Sequence, residues 1–163
     1  MGKKNKQDPS LLFDQYYREI WCDRWLDLKE ALKEEKNTQV SINETTPPYW
    51  LDEASLLTAS LLPVSIGSTV LDMCAAPGGK SLVLARAIGK TGFLTANDRS
   101  PDRRERLRKV LYSLTDDIRP EIRITGFNAE SWGLYEKDVY DAVLLDAPCS
   151  SERHVLNDEK YLS

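Results

Sequence analysis

The chain has 163 residues, 41% hydrophobic and 29% charged, which is typical of a soluble globular protein with a single core. Its net charge of -4 excludes a globally basic nucleic-acid-binding protein, so any contact with nucleic acid must come from a local basic patch or a partner. No apolar run approaches the ~20 residues that span a bilayer, so we expect no membrane association, and the basic start lacks the apolar stretch of a secretory signal. Three widely spaced cysteines indicate a reducing compartment rather than a disulfide scaffold or a zinc site.

A single long helix is predicted over residues 9 to 36. Asp8 can cap it, Pro9 suits its first turn, and apolar side chains recur at helical spacing as far as Leu32. Its aromatic face could stack on bases, but packing against the following domain is the simpler interpretation. Two prolines then interrupt the chain. We therefore predict an N-terminal helical extension, residues 1–48, and a second domain, residues 49–163.

From about Leu51 the pattern alternates between helices and strands. Helices are predicted over residues 52–62, 79–88 and from Pro101 onward, and strands at 69–73, 93–96, 122–124 and 142–145. The last strand is a continuous apolar run, which is typical of a strand buried on both faces. Strands separated by helical crossovers imply a parallel sheet with right-handed connections. The predicted fold is a doubly wound α/β domain whose ligands bind beyond the carboxyl ends of the strands.

A turn of small residues, CAAPGGK, joins the first predicted strand of this sheet to the helix that follows. Such a turn lets backbone N–H groups approach a ligand, and the helix N-terminus favours a carboxylate or phosphate. GKS resembles the end of a phosphate-binding loop, but the first glycine of that motif would fall at Cys74, and G-x-G-x-x-G is absent. Any tight turn uses glycine, so Gly78 and Gly79 alone are weak evidence for a ligand.

Polar side chains end the next two strands. Asp98 follows the glycine turn by about 20 residues, where a carboxylate accepts hydrogen bonds from ribose hydroxyls. We favour that role over a purely local one in the turn before the next helix. Asn128 could read an adenine edge, although an ordinary turn asparagine is almost as good an interpretation.

An acid and a thiol follow the fourth strand in LLDAPCS. Asp146 and Cys149 are three residues apart, and Pro148 stiffens the turn between them. A cysteine in a loop is usually inert packing, but the nearby acid and the strand-end location favour chemistry. The residues by themselves thus predict a nucleotide-like cofactor with an acid and a thiol nearby.

The strings VLDMCAAPGGKS and LLDAPCSSERH, in this order, resemble the Fmu/Sun (RsmB-type) family of S-adenosylmethionine-dependent RNA 5-methylcytosine methyltransferases. TANDRSPDRRERLRKVL resembles its second-strand region, and FDQYYREIWCDRW resembles the N-terminal helix of the branch that includes the mitochondrial ribosomal-RNA enzyme. The resemblance implies a Rossmann-like class I methyltransferase that acts on cytosine in RNA, with ribosomal RNA as the expected substrate. We expect a cytoplasmic protein, with the mitochondrial matrix as the alternative.

The same resemblance implies a set of site residues. Those expected to hold S-adenosylmethionine are Cys74, Ala75, Pro77, Gly78, Gly79, Lys80, Asp98, Arg103, Asn128 and Asp146. Asn128 stands where the family usually has aspartate, so the hydrogen-bond acceptor is kept but the charge is lost. Asp146 and Cys149 are the expected catalytic residues: Asp146 would contact the cytosine edge, and Cys149 would assist product release. The family's nucleophile is a second cysteine in a later motif, which adds to cytosine C6 and makes C5 enamine-like.

No cysteine follows Cys149 in this sequence. We expect a fold truncated after the fourth strand, which would otherwise be an unpaired apolar edge, with weak cofactor binding and little or no turnover. In one alternative Cys149 is itself the nucleophile, as the corresponding cysteine is in DNA cytosine methyltransferases. In another, the chain is a non-catalytic cofactor- or RNA-binding module that acts with a partner protein. Methyl transfer to a protein or small molecule is disfavoured, because those acceptors are already nucleophilic and need no acid-thiol pair.

Five basic residues cluster on the helix after Asp98: Arg103, Arg104, Arg106, Arg108 and Lys109. Asp102 and Glu105 are interleaved with them, so a solvated charged face is a better interpretation than contact with RNA phosphates. The lone histidine, His154, has no visible metal partners, and we expect it on the surface near the RNA path.

Overall fold

The computed structural model describes residues 8–34, 39–149 and 152–158. It contains two compact units, one formed by Met1–Lys36 with Cys149–Ser163 and the other by Asn37–Pro148. We call them the helical unit and the α/β unit. Their boundaries differ from those of the predicted domains 1–48 and 49–163, which stay a prediction.

The elements follow one another in the order helix pair, hairpin, and alternating helices and strands. They are α1 (Pro9–Trp21), α2 (Arg24–Lys33), β1 (Gln39–Ile42), β2 (Tyr49–Asp52), α3 (Glu53–Ser60), β3 (Thr69–Asp72), α4 (Gly79–Ile88), β4 (Phe93–Asn97), α5 (Pro101–Tyr112), β5 (Glu121–Thr125), a 3₁₀ helix (Ala129–Leu134), β6 (Ala142–Leu144) and α6 (Glu152–Asn157). None of these described helices is long and apolar enough to cross a membrane.

The prediction of one helix over residues 9 to 36 is wrong, because the chain turns at Cys22 and begins a second helix. Cys22 has a φ of 50°, outside the helical range. The turn brings the Trp25 ring back onto Tyr17, with ring centroids 4.8 Å apart, and the indole N–H donates to Asp14. Burial of this aromatic surface outweighs the local preference for a continuous helix. The predicted cap is present, since Asp8 Oδ1 accepts the Ser10 N–H at 2.9 Å.

The α/β unit is built on a four-stranded parallel sheet with the order β5-β4-β3-β6. The predicted parallel sheet and Rossmann-like α/β class are therefore confirmed. The strands β3, β4 and β5 and the helices α4 and α5 lie within a residue or two of their predicted positions. The core lies between the sheet and its helices. The spacing of Leu107, Val110, Leu111 and Leu114 predicts a core stripe on α5, and the three leucines are buried while Val110 is partly buried against them.

The strand β6 is not buried on both faces, contrary to its apolar sequence. Leu144 is buried, but Val143 is 45% exposed and the following Leu145 is 61% exposed. Among the described residues β6 pairs only with β3, and the exposed side chains of Val143 and Leu145 leave one of its faces open. A continuous apolar run specifies a strand but does not specify what covers its faces.

The antiparallel hairpin of β1 and β2 was not predicted. Its strands have four residues each and are joined by the segment that contains the two prolines. Ile42 and Leu51 are buried in the same core as the sheet and its helices. The hairpin thus belongs to the α/β unit, and its second strand leads directly into α3.

Candidate cofactor and active site

The turn between β3 and α4 needs its two glycines for packing. Gly78 has a φ of +120°, and a Cβ there would lie 2.8 Å from the side chain of Val110. A Cβ on Gly79 would lie 2.6 Å from the side chain of Leu51. The turn is therefore pressed between α5 and the hairpin, which by itself explains both glycines.

Hydrogen bonds from neighbouring elements fix the rest of this turn. The Ala75 N–H donates to the Asn97 carbonyl at 2.7 Å, and the Arg103 guanidinium donates to the Ala76 carbonyl at 2.5 Å. Gly78, which precedes the first residue of α4, offers no capping side chain. Protein contacts alone therefore fix the conformation of this turn. No side chain caps the start of α4, which is the positive end of the helix dipole.

Asp72 is a buried carboxylate beneath the turn that sequence reasoning missed. Its Oδ2 accepts the Ser81 hydroxyl at 2.6 Å, while no described residue donates to its Oδ1. Burial raises the pKa of Asp72 to about 6, and the negative charge of Asp146 adds to the rise, against hydrogen bonds that lower it. The sequence feature that could have indicated Asp72 is its place as an acidic residue at the end of the apolar strand VLD.

One cavity opens at the carboxyl ends of β4 and β5, with a volume of about 450 Å³. We call it the Asp98 cavity. Predicted site residues in its lining are Cys74, Asp98, Arg103 and Asn128, and the wall also includes Asn97, Phe127, Leu145 and Pro148. Its volume is that of a small-molecule site, and its lining combines apolar surface with a few polar groups.

Asp98 has the local role in the turn before α5 and also lines the Asp98 cavity, while its ribose contact stays a prediction. It is only 4% exposed, and its Oδ1 accepts the Ser100 N–H at 3.0 Å, which fixes the turn before α5. Its Oδ2 lies 3.4 Å from an Arg103 nitrogen, and both side chains line the cavity. The carboxylate is thus held in place by the protein while remaining at the cavity wall.

Phe127 and Asn128, in the segment GFNAESW that follows β5, lie at another part of the wall of the Asp98 cavity. Asn128 Oδ1 accepts the Glu130 N–H at 3.4 Å at the start of the 3₁₀ helix, so this residue caps a turn and lines the cavity as well. Phe127 is 58% exposed although it lines the same cavity. The sequence analysis did not name Phe127 as a site residue. The feature that could have indicated it is an aromatic residue directly before Asn128.

A second cavity, of about 350 Å³, lies between the glycine turn and the β2–α3 junction. We call it the Lys80 cavity. The Lys80 ammonium pairs with Asp146 Oδ2 at 2.8 Å and also donates to the Ser55 hydroxyl at 3.1 Å. Ala75, Pro77 and Gly79 line this cavity as well, and Cys74 lines both cavities. Of the predicted turn residues, Gly78 alone lines neither, because it packs against α5.

The two cysteines near the predicted chemistry lie in different environments. Burial raises the pKa of the Cys74 thiol, and the charges of Asp72 and Asp98 add to the rise. A protonated thiol is a poor nucleophile, so the described surroundings do not activate Cys74. Cys149 is exposed and belongs to the helical unit, whereas Asp146 belongs to the α/β unit.

The basic residues of α5 are mostly engaged in local contacts. Arg104 donates to the carbonyls of Asp98 and Arg99, and both Arg108 and Lys109 lie within 4 Å of Glu105. These contacts favour the solvated-face interpretation. The expected surface position of the His154 side chain lies outside what the structure describes.

Residues 59–160 match the family described as 16S rRNA methyltransferase RsmB/F. The chain belongs to the RsmB/F family. The match contains β3 to β6 and the glycine turn, so both cavities are built mainly from RsmB/F family sequence. The resemblance drawn from the two strand-end strings is thereby confirmed.

Named relatives agree with the RsmB/F assignment. The chain is 47% identical over 115 residues to the 5-cytosine rRNA methyltransferase NSUN4 of Mus musculus, covering 69% of this chain and 30% of the relative. It is 41% identical over 106 residues to the mitochondrial tRNA (cytosine(34)-C(5))-methyltransferase of Danio rerio, covering 64% of this chain and 29% of that one. The chain thus spans about 30% of the length of the curated relatives it matches.

A solved relative has the same fold. The crystal structure of NSun6 from Pyrococcus horikoshii with SFG has a TM-score of 0.57 and 27% identity, over 66% of this chain and 27% of that chain. Membership of a methyltransferase family and this structural likeness support the expected cofactor, S-adenosylmethionine.

Proposed function

We propose that this chain carries the cofactor-binding part of an S-adenosylmethionine-dependent RNA (cytosine-5) methyltransferase that acts on ribosomal RNA. The observation that carries the proposal is the pair of adjoining cavities that share Cys74. One has a carboxylate and a half-exposed aromatic ring, and the other has the Lys80–Asp146 ion pair. We assign the first cavity to the nucleoside end of the site and the second to its reacting end.

The lining of the Asp98 cavity fits a nucleoside. Asp98 accepts hydrogen bonds from the ribose hydroxyls, and Arg103 keeps the carboxylate oriented from 3.4 Å away. Phe127 offers a ring face to the adenine, and Asn128 offers an amide to its edge. The start of α4, with no capping side chain, and the Lys80 ammonium favour the carboxylate of the methionine part.

The Lys80 cavity supplies the polar groups for the acceptor base. S-adenosylmethionine supplies an electrophilic methyl group when bound. Paired with Lys80, Asp146 accepts a hydrogen bond from the exocyclic amine of cytosine. Lys80 holds Asp146 in one orientation through the ion pair, and its remaining N–H groups can donate to the base. Cys149 assists product release by family analogy, while Cys74, with its raised thiol pKa, stays protonated.

A second candidate function is a cofactor- or RNA-binding module that acts with a partner protein. One observation favours it: both cavities are lined entirely by residues of the α/β unit, so cofactor binding does not require Cys149. The two candidates share the cofactor site and differ in whether methyl groups are transferred.

Calorimetric titration with S-adenosylhomocysteine tests the site that both candidates share. The unmodified chain should bind it, and Asp98→Asn should weaken binding about tenfold or more, because a charge-assisted hydrogen bond becomes a neutral one. Asp116→Asn is the matched control, since Asp116 is a surface carboxylate that pairs with Arg119 outside both cavities. A folded chain that ignores both S-adenosylmethionine and S-adenosylhomocysteine would refute the proposal.

Transfer of tritium from labelled S-adenosylmethionine to ribosomal RNA separates the two candidates. Methylated cytosine supports the enzyme, and its loss in Cys149→Ser would make that thiol necessary for turnover. Intact cofactor binding with no transfer supports the module. For localisation, the mitochondrial name of the Danio rerio relative supports the mitochondrial-matrix alternative over the cytoplasm.

A further inference from the structure

The Asn97 side chain joins three strand ends. It is 1% exposed at the last position of β4. Its Nδ2 donates to the Met73 carbonyl at 3.0 Å and to the Phe127 carbonyl at 3.1 Å. Its Oδ1 accepts the Phe127 N–H at 2.8 Å and the Thr125 hydroxyl at 2.8 Å. Both donors and both lone pairs of the amide are therefore used.

These partners carry walls of the Asp98 cavity. Met73 and Phe127 both line it, one after β3 and the other after β5. Within the part of the chain that the structure describes, the backbone N–H and carbonyl of Phe127 bond to Asn97 and to no other group. The backbone at Phe127 is thus held by one side chain rather than by strand pairing, and the ring it carries packs edge-on against Trp132, with ring centroids 5.7 Å apart.

We propose that Asn97 is the positioning residue for the nucleoside end of the cofactor. Its amide fixes the distance between the β3–α4 turn and the loop that carries Phe127, and so the width of the Asp98 cavity. The inference rests on the proposed function, because it names the residue that shapes that cofactor site. A carboxylate of the same size cannot do this, since it would oppose the carbonyls of Met73 and Phe127 with a second acceptor.

Thr95 provides a matched control on the same strand. It is also fully buried, and its hydroxyl oxygen lies within hydrogen-bonding distance of Arg123 Nε, at 3.3 Å, and of the Tyr140 hydroxyl, at 3.2 Å. It lines neither the Asp98 nor the Lys80 cavity. Thr95→Val therefore removes buried hydrogen bonds from β4 without touching the cavity walls, which isolates the purely structural effect.

The test measures affinity for S-adenosylhomocysteine and for adenosine, together with the thermal midpoint. Asn97→Ala should weaken both ligands by the same factor, roughly tenfold or more, because the altered contacts all lie at the nucleoside end. Thr95→Val should lower the thermal midpoint and leave both affinities within about twofold. Thr125→Val, which removes one hydrogen bond to Asn97, should weaken binding about threefold and keeps the test available if Asn97→Ala does not fold.

Asn97→Asp adds a readout that a general loss of packing would not produce. Its affinity relative to the unmodified chain should recover as the pH falls, because a protonated carboxyl regains one donor. Unchanged affinity in Asn97→Ala, or an equal loss in Thr95→Val, would overturn the inference and leave the proposed function intact. An unmodified chain that binds neither ligand would overturn both.

Discussion

At the scale of single residues, Asp72 stands out because of its chemical surroundings rather than because of a sequence motif. It ends a buried strand, has one oxygen with no described donor, and shares the Lys80 cavity with Asp146 and Lys80. Burial raises its pKa to about 6 from 3.8. The folded chain therefore binds this proton more tightly than the unfolded chain does.

The pH dependence of stability follows from that shift. Asp72 favours folding while it is protonated, so its contribution is full below about pH 4 and is lost as the pH rises through 6. A shift of this size corresponds to about 3 kcal/mol. We expect Asp72→Asn to lack this loss, so its free energy of unfolding should exceed that of the unmodified chain at pH 7 to 8, and the two should converge near pH 4.

Urea unfolding across that pH range measures the difference between the two chains. Other carboxylates titrate there as well, but those that do not interact with Asp72 contribute equally to both chains and cancel. A difference that stays constant with pH, or grows as the pH falls, would show that Asp72 does not have a raised pKa.

The Lys80–Asp146 pair should matter little for stability. The two side chains are 21% and 50% exposed, so solvent screens their attraction. We expect a double-mutant cycle of Lys80→Met and Asp146→Asn to give a coupling below about 1 kcal/mol that shrinks in high salt. A larger coupling energy that does not change with salt, measured by urea unfolding, would mean that the pair stabilises the fold rather than serving the functional site.

At the scale of elements, the glycine turn owes its composition to packing. It is pressed against α5 on one side and the hairpin on the other, and its place at the carboxyl end of β3 puts it beside both cavities. The sequence alone could not separate a ligand-binding glycine from a packing glycine. For Gly78 the close approach of the Val110 side chain shows that packing requires the glycine.

Gly78→Ala should destabilise the chain by about 2 kcal/mol or more, since a φ of +120° strains any side chain and Val110 is 2.8 Å away. Gly133→Ala is the matched control, because a Cβ there meets nothing within 4 Å. Chemical unfolding of both variants measures the effect. Equal stability of the two would show that the turn relaxes without cost.

At the scale of the whole molecule, the two units differ in how much they bury. In the α/β unit the central strands β3 and β4 are almost wholly buried and are paired on both sides. In the helical unit, by contrast, α1 has no buried residue and the described residues of α2 contribute one, Trp25. Local opening should therefore be far easier in α1 than in the central strands.

Native-state hydrogen exchange should show this difference directly. Amides of β3 and β4 should exchange at least about 100-fold more slowly than those of α1, because the former open only with the sheet. Amides of α4, which contributes seven buried residues, should resemble the strands. Protection of α1 equal to that of β4 would contradict the expectation.

The sequence by itself determined the alternation of helices and strands, the parallel sheet and the family. These depend on periodicity and on strings such as VLDMCAAPGGKS, which are local properties of the chain. The same local signals pointed to Asp98, Asn128 and Asp146, because parallel strands place their carboxyl ends at one edge.

Only the tertiary structure decided which of these residues share a cavity. It shows that the predicted helix is interrupted at Cys22 and that one face of β6 is exposed. It also adds Asp72, Phe127 and Asn97 to the residues around the cavities. Each of these depends on contacts between segments far apart in the chain, such as the hydrogen bonds from Asn97 to Met73 and Phe127. Burial and hydrogen bonding across such distances are set by packing, and no local sequence pattern encodes them.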